Sequence, residues 1–239
     1  MDERPGRDGN LKELPSAYER WRSSTLGRIT DEIEGKLILD LTGDVAGRTI
    51  LDVGCGDGAF AVESWKRGAK VVNGVDASPQ MIEAAHARAR THGADITFDV
   101  GTAQALPFPD NTFDRVVAVT VLCFVDDAAQ ALREMARVLR PGGRLVVGEL
   151  GKWSTWAAER RLRGWLGNRV WRRARFRTAH ELQHLAKGAG LAVGSPRGAI
   201  YYPPCGLAAR LLGPVDSRLS RWTTVGAAFV ALAATKPPR

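Results

Sequence analysis

The tract TILDVGCGDGAF at Thr49–Phe60 constrains the fold more than any other part of the chain. A short run rich in β-branched residues, Thr49–Val53, enters glycines at alternate positions, and Ala59–Lys66 can then begin a helix. This reads as strand, tight turn, helix, and the pattern repeats downstream. Val71–Val75 is a second strand ending at Asp76, after which Ser78-Pro79 supplies an N-cap and a first-turn proline for a helix over Gln80–Arg90. Ile96, Phe98 and Val100 alternate as a third strand, and Phe113–Val119 is a near-continuous apolar strand of the kind buried on both faces of a parallel sheet. Asp126 or Asp127 caps a helix whose Ala131, Leu132, Met135 and Leu139 share a face, and Arg140-Pro141-Gly142-Gly143 stops it before a fifth strand, Arg144–Gly148. A capping box, Thr178-x-x-Glu181, opens a short helix that turns Leu182 and Leu185 inward. Leu191–Gly194 and Val225–Ala234 are two late strands separated by the Pro-rich stretch Tyr201–Pro214. Ahead of all this, residues 11–42 form a helical preface with stripes at Leu11, Leu14, Tyr18 and at Leu26, Ile29, Ile33, Leu37, Leu41. Strands alternating with helices predict an α/β sheet, mainly parallel, with right-handed crossovers.

Composition narrows the class. With 239 residues, 44% hydrophobic and 25% charged, the chain suits one domain with decorations. Its longest apolar runs, Val116–Val125 and Val225–Ala234, are about half the roughly 20 residues that a membrane-spanning helix needs. The first residues, MDERPGRDGN, carry no apolar stretch, so a disordered tip is expected there and a secretory signal is not. Cys55, Cys123 and Cys205 are widely spaced without a CxxC pair, which argues against a disulfide framework or a metal site and fits the cytoplasm. The formal charge of +8 is concentrated: between Glu159 and Arg177 eight arginines face one glutamate, leaving the remainder close to neutral.

In an open parallel sheet, ligands bind beyond the carboxyl ends of the strands, beside the first strand where the order reverses. Gly54, Gly56 and Gly58 sit there and let a ligand approach the backbone closely. Asp76, closing the next strand, is placed to accept from both hydroxyls of a ribose. Gly54-x-Gly56-x-x-Ala59 also satisfies a dinucleotide fingerprint. Asp52 weighs against that reading, because a carboxylate beside the turn repels a pyrophosphate and suits a ligand with an ammonium and a sulfonium.

Together, LDVGCGDGAF, VDASPQMI, GTAQALPFPDNTFDRVVAV and ALREMARVLRPGGRLVV resemble, in order and spacing, the class I S-adenosylmethionine-dependent methyltransferases. The resemblance covers about residues 45–150. It implies a Rossmann-like, doubly wound, seven-stranded sheet whose last strand is antiparallel, with N-terminal helices and a helical insertion after strand five. Residues 1–44 would then be the tip and helical cap, 45–150 the cofactor-binding core, and 151–239 the basic insertion and last strands on the substrate side. It implies S-adenosylmethionine as cofactor, with S-adenosylhomocysteine as product. Asp52, Gly54, Cys55 and Gly56 would surround the methionine part, Asp76 would hold the ribose, Ala77 and Met81 would pack on the adenine, Thr102 and Ala103 would meet its edge, and Thr120 would present its backbone to the methionyl group. Relatives often carry an acid where Thr102 stands. The preface AYERWRSSTLGR is similar to relatives in which Tyr18 and Trp21 cover the methionine end.

The expected reaction moves a methyl group to an O, N or C nucleophile of a small metabolite. Glu149, ending the fifth strand, is the candidate base; its bland alternative is a solvated strand-end carboxylate. His180 belongs to a helix start; Tyr201 and Tyr202 precede Pro203-Pro204 in a loop that reads either as part of the active site or as packing; Cys123, at the rim of the fourth strand, reads as a buried apolar filler, with a thiol nucleophile as the alternative. The arginine segment, with Trp165, Trp171 and Phe176 interleaved, has competing readings: a lid over an anionic substrate, a surface helix on acidic phospholipid, a nucleic-acid contact, or a solvated amphipathic helix. A nucleic-acid partner is disfavoured, since Thr120-Val121-Leu122-Cys123 stands where base-methylating enzymes carry Asn or Asp before Pro-Pro-aromatic. Two other classes stay open: a nicotinamide-dependent oxidoreductase, and an RNA- or membrane-associated protein with a vestigial cofactor pocket.

Overall fold

The computed structural model describes residues 20–220 and 222–238. In chain order the elements are α1 (Thr25–Thr42), β1 (Thr49–Val53), α2 (Ala59–Lys66), β2 (Val71–Asp76), α3 (Pro79–Thr91), β3 (Thr97–Val100), β4 (Phe113–Val119), α4 (Ala128–Val138) and β5 (Leu139–Leu150). Then come α5 (Thr155–Trp165), α6 (Arg169–Arg173), α7 (Ala179–Gly188), β6 (Ala192–Val193), β7 (Arg197–Ala199), α8 (Gly206–Leu219) and β8 (Phe229–Thr235).

The strands form one sheet in the order β3-β2-β1-β4-β5-β8-β6, with β7 also on β8. From β3 to β5 neighbours are parallel, whereas β8 runs antiparallel to β5 and to β6 and β7. The order reverses between β1 and β4, which opens the crevice where such sheets hold ligands. The expected doubly wound sheet with an antiparallel last strand is therefore present, with one correction to the count. The penultimate strand is broken in two: β6 pairs Val193 with Ala234 and β7 pairs Arg197 with Ala231. The longer step on one side marks a bulge at Ser195-Pro196, and a proline there has no N–H to give the ladder.

Helices cover both faces. On one, Leu132 and Met135 of α4 and Leu182 of α7 pack with Val116, Leu145 and Leu232 of the sheet. On the other, Leu26, Leu37 and Ile38 of α1 meet Val117, Val146 and Phe229. The near-continuous apolar strands β4 and β5 are thus buried twice, as their composition requires. Helix starts follow side-chain caps: Ser24, Ser78, Asp127, Ser154 and Thr178 each accept a backbone N–H, and Thr178 with Glu181 forms the expected capping box.

Two departures have physical reasons. The helical preface is interrupted at Ser24, whose N–H and hydroxyl both turn back to the carbonyl of Trp21, so α1 starts only at Thr25; the expected tip and Tyr18 lie outside the described residues. Part of the Pro-rich stretch read as a connection is helix α8, with Pro214 inside it. Proline there removes one helical hydrogen bond, and tertiary contacts offset the loss: Gly213 lies against Ile29 and Ile33 of α1. Asp216, buried at 1% exposure, accepts from the N–H groups of Ile200 (3.0 Å) and Tyr201 (2.8 Å). Those bonds hold Ile200 at φ 62, a conformation that a β-branched residue rarely adopts. No helix among the described residues is long and apolar enough to cross a membrane.

Asp216→Ala should leave two buried N–H groups unpaired and release the strained residue. We expect a loss of about 1–3 kcal/mol, read as a fall in melting temperature of about 3–10 °C for a domain of this size; an unchanged melting curve would show that the cap contributes nothing.

Candidate active site

At the end of β1 the chain turns through Gly54 (φ 68), Gly56 (φ 52) and Gly58 (φ 75), all left-handed. The turn is fastened to the end of β2. The N–H groups of Gly54 and Cys55 both donate to the carbonyl of Val75, at 2.6 and 3.0 Å. Gly56 N–H donates to one oxygen of Asp76 and Ser78 N–H to the other, each at 2.9 Å. The carboxylate of Asp76 is therefore fixed in direction, with acceptor capacity left on both oxygens. At Gly54 only glycine fits, since a Cβ would stand 2.3 Å from Cγ2 of Val121, which follows β4. Asp57, in the same turn, is gripped by Arg22 at 2.8 Å and by Arg88 of α3, and Arg22 also pairs with Asp31 of α1 at 2.9 Å. The preface is thereby bound by charge to the glycine turn.

Asp52 is buried on β1, and its Oδ2 has no hydrogen-bond partner among the described residues. Burial, then the neighbouring charges of Asp76 and Asp57, push its carboxyl up to about 8. A buried, unsatisfied acid oxygen is costly unless something meets it. The other expected residues cluster beside Asp76. Gly101 N–H donates to the Asp76 carbonyl, which draws the segment after β3 alongside. Thr102 there forms an isolated bridge with Ala105, Ala103 and Met81 are buried, and Ala77 is exposed. Cys55 is buried, and burial drives its thiol well above the ordinary range. Thr120, at φ 58 just after β4, donates its N–H to the carbonyl of Gly148 at 2.7 Å.

Glu149 is wholly buried and anchors the segment after β4: its Oε1 accepts from the N–H groups of Val121 (3.1 Å) and Leu122 (2.6 Å). Its Oε2 has no hydrogen-bond partner among the described residues, and burial raises its carboxyl to about 7. Cys123 beside it is buried too, with its thiol pushed up.

A ring of contacts links α1, α5, α6 and the segment after β4. Thr30 of α1 shares a hydrogen bond with the Tyr202 hydroxyl (3.0 Å), and the Tyr202 carbonyl accepts from Trp156 Nε1 (2.8 Å). Arg160 stacks 5.1 Å from the ring of Trp156 and 4.9 Å from that of Trp171, and Trp171 meets Phe124 at 6.4 Å. The ring closes where Arg175 N–H donates to the Cys123 carbonyl at 2.9 Å. Gly164 makes this closure possible: a Cβ there would stand 2.9 Å from the Arg172 nitrogen, so only glycine lets α6 lie against α5. Part of the arginine segment thus packs against the turn that follows β4. Arg22, Glu34, Asp57 and Arg160 were not singled out from the sequence; partners so distant in the chain have no local spacing to reveal them.

Raised acid groups make stability pH-dependent. Asp52 and Glu149 keep protons, up to about 8 and about 7, that the unfolded chain releases near 4. Above the unfolded value the unfolded state binds fewer protons, so stability falls as pH rises. We expect the melting temperature of the ligand-free protein to drop between pH 5 and pH 8, and Asp52→Asn to flatten that slope; a flat wild-type profile would contradict the burial of these charges.

Residues 51–147 match the family model described as a methyltransferase domain. Over 125 residues the chain is 37% identical to the methyltransferase GfsG of Streptomyces halstedii, a match covering 52% of this chain and 43% of that protein. An uncharacterized protein of Mycobacterium tuberculosis is 33% identical over 219 residues, 92% of this chain and 71% of its own. Among solved structures, one from Thermotoga maritima described as a SAM-dependent methyltransferase, possible histamine N-methyltransferase, superposes with a TM-score of 0.71 at 27% identity, covering 95% of this chain and 97% of the other. The chain spans less than half the length of the first curated relatives that it matches.

Proposed function

Because the chain belongs to the class I S-adenosylmethionine-dependent methyltransferases, we propose that it transfers a methyl group from S-adenosylmethionine to a nucleophilic O, N or C of a small molecule in the cleft between the glycine turn and α5–α6, which form its lid. The unpartnered Oδ2 of buried Asp52 carries this reading. An ammonium group meeting it would satisfy the orphaned acceptor and hold the carboxylate charged. A pyrophosphate would instead bring like charge against it, which is why the nicotinamide alternative is not favoured.

When bound, the cofactor supplies a methyl carbon already activated by positive sulfur. The residues then have to position and desolvate. Asp76, its direction set by Gly56 and Ser78, would accept from the ribose hydroxyls; Ala77 and Met81 would flank the adenine, and Thr102 and Ala103 would meet its edge. Gly54, Cys55 and Gly56 would let the methionine portion lie against the backbone, and Thr120 would face it from the end of β4. An in-line displacement gains most from such alignment and from exclusion of water. The lid excludes water by lying over the turn after β4. We assign Glu149 a positioning role, because its Oε1 already accepts two N–H groups that fix that turn; Glu149→Gln keeps an acceptor there and should retain most activity.

Calorimetric titration with S-adenosylhomocysteine tests the reading. We expect one site per chain and, because the ligand's ammonium would ionise an Asp52 whose carboxyl otherwise titrates at about 8, release of protons on binding below that pH. The observed enthalpy should then vary with the buffer's ionisation enthalpy. Asp76→Asn should weaken binding about tenfold or more by exchanging an ionised acceptor for an amide. Binding of NAD in preference to S-adenosylhomocysteine would overturn the assignment.

A further inference from the structure

Two arginines of the basic segment are drawn in from the surface without an ion pair among the described residues: Arg177, whose guanidinium donates to the Arg175 carbonyl, and Arg160, whose guanidinium makes no hydrogen bond. The Arg160 guanidinium carbon lies over the indoles of both Trp156 (5.1 Å) and Trp171 (4.9 Å), and the residue is half-buried. Among the described residues no hydrogen bond and no ion pair engages it, whereas neighbouring Arg161 donates to the Lys152 carbonyl and Arg163 pairs with Glu159 at 2.8 Å. The groups near enough to influence its charge are Glu34 on α1, Cys123 after β4, Glu159 and Arg163. Glu34 does not serve as its counter-ion: it makes no ion pair with Arg160, and burial outweighs the arginine's pull and raises the Glu34 carboxyl to about 8. Arginine stays protonated at any physiological pH, so a cation is held against the two indoles with its N–H groups free of protein acceptors among the described residues. The two indoles attract the cation through their faces but offer it no hydrogen-bond acceptor, so its N–H groups are left to a ligand.

We propose that Arg160 binds a carboxylate of the methyl acceptor, making the substrate a small carboxylic acid with an apolar or aromatic body. The proposal rests on the methyltransferase reading and specifies its substrate class. A planar fork with two parallel N–H groups matches a carboxylate bidentately. The setting selects against a phosphate ester: a strongly hydrated dianion gains less from one cation between two indoles, and ionising Glu34 would repel it. The body of the acid would lie along Trp171, Phe124 and Tyr202, the aromatic part of the same ring of contacts.

The test uses the full chain saturated with S-adenosylhomocysteine and titrated calorimetrically with a series of carboxylic acids, from acetate through phenylacetate to indole-3-acetate, each beside its primary amide, with phenyl phosphate included. We expect at least one acid of the aromatic members to bind about tenfold or more tightly than its amide. Arg160→Met, which keeps a stem between the indoles, should abolish that preference while leaving the affinity for S-adenosylhomocysteine within twofold, which also reports that the variant is folded. If no acid outbinds its amide, or if the preference survives in Arg160→Met or Arg160→Gln, the proposal is overturned. Preference for phenyl phosphate over phenylacetate overturns the carboxylate assignment. Failure of the wild-type protein to bind S-adenosylhomocysteine would instead remove the methyltransferase reading itself.

Discussion

The fastening of the glycine turn to the end of β2 is the constraint on which the rest of the molecule depends. Two N–H groups converge on the carbonyl of Val75 and a third on the carboxylate of Asp76. A turn of left-handed glycines costs more backbone entropy than any other stretch of the same length; without these bonds it would sample many shapes. With them, it holds one shape directly over the reversal of strand order. Asp57 extends the fastening outward, because its grip by Arg22 and Arg88 draws the preface and α3 against the same turn. One loop therefore sets the position of β2, of α1 through Arg22 and Asp31, and of the turn after β4 through the contact that Gly54 alone permits with Val121.

The elements legible in the sequence are those whose signals are local. Alternating glycines after a β-branched run, an Asp closing the next strand, Ser-Pro at a helix start and Thr-x-x-Glu before an apolar pair all act within a few residues, and each stands where expected. Illegible features were decided by distant partners. Pro214 and Gly213 argue locally against helix α8; the outcome is set by Asp216 capping Ile200 and by α1 packing on Gly213. The broken strand β6–β7 follows from a proline whose effect depends on which neighbour its missing N–H would face. Within the site, the Asp76 and Gly54 positions could be read directly, but the enclosure of Arg160 needed two tryptophans from different elements to be brought together.

The arginine-rich segment looked uniform as a string of charges and is not uniform in space. Arg177 is buried, with its backbone bonded to that of Leu150 and Lys152, and Arg175 is tied through its backbone to Cys123. Arg160 faces inward, while Arg161, Arg169, Arg172 and Arg173 are exposed. A helix of this composition can serve two surfaces at once, since residues three or four apart share a face and intervening ones do not. Leu162, Trp165 and Leu166 remain exposed, so the charge excess that distinguishes the chain is mostly on the outside of the segment, while Arg160 and Arg177 are drawn inward.

The two ends of the cleft differ in how they treat charge, and the difference follows from burial. At the glycine turn, Asp52 is desolvated and pressed by like charges from Asp76 and Asp57; the unoccupied balance there favours a proton, and only an arriving cation makes ionisation favourable. Between α1 and α5, burial favours the neutral form of Glu34 while Arg160 keeps its proton, so the net field there favours an arriving anion. A ligand positive at one end of the cleft and a second ligand negative at the other would each relieve a cost that the empty fold carries. On the proposed reading, alignment at the turn that Glu149 braces and exclusion of water then do the rest.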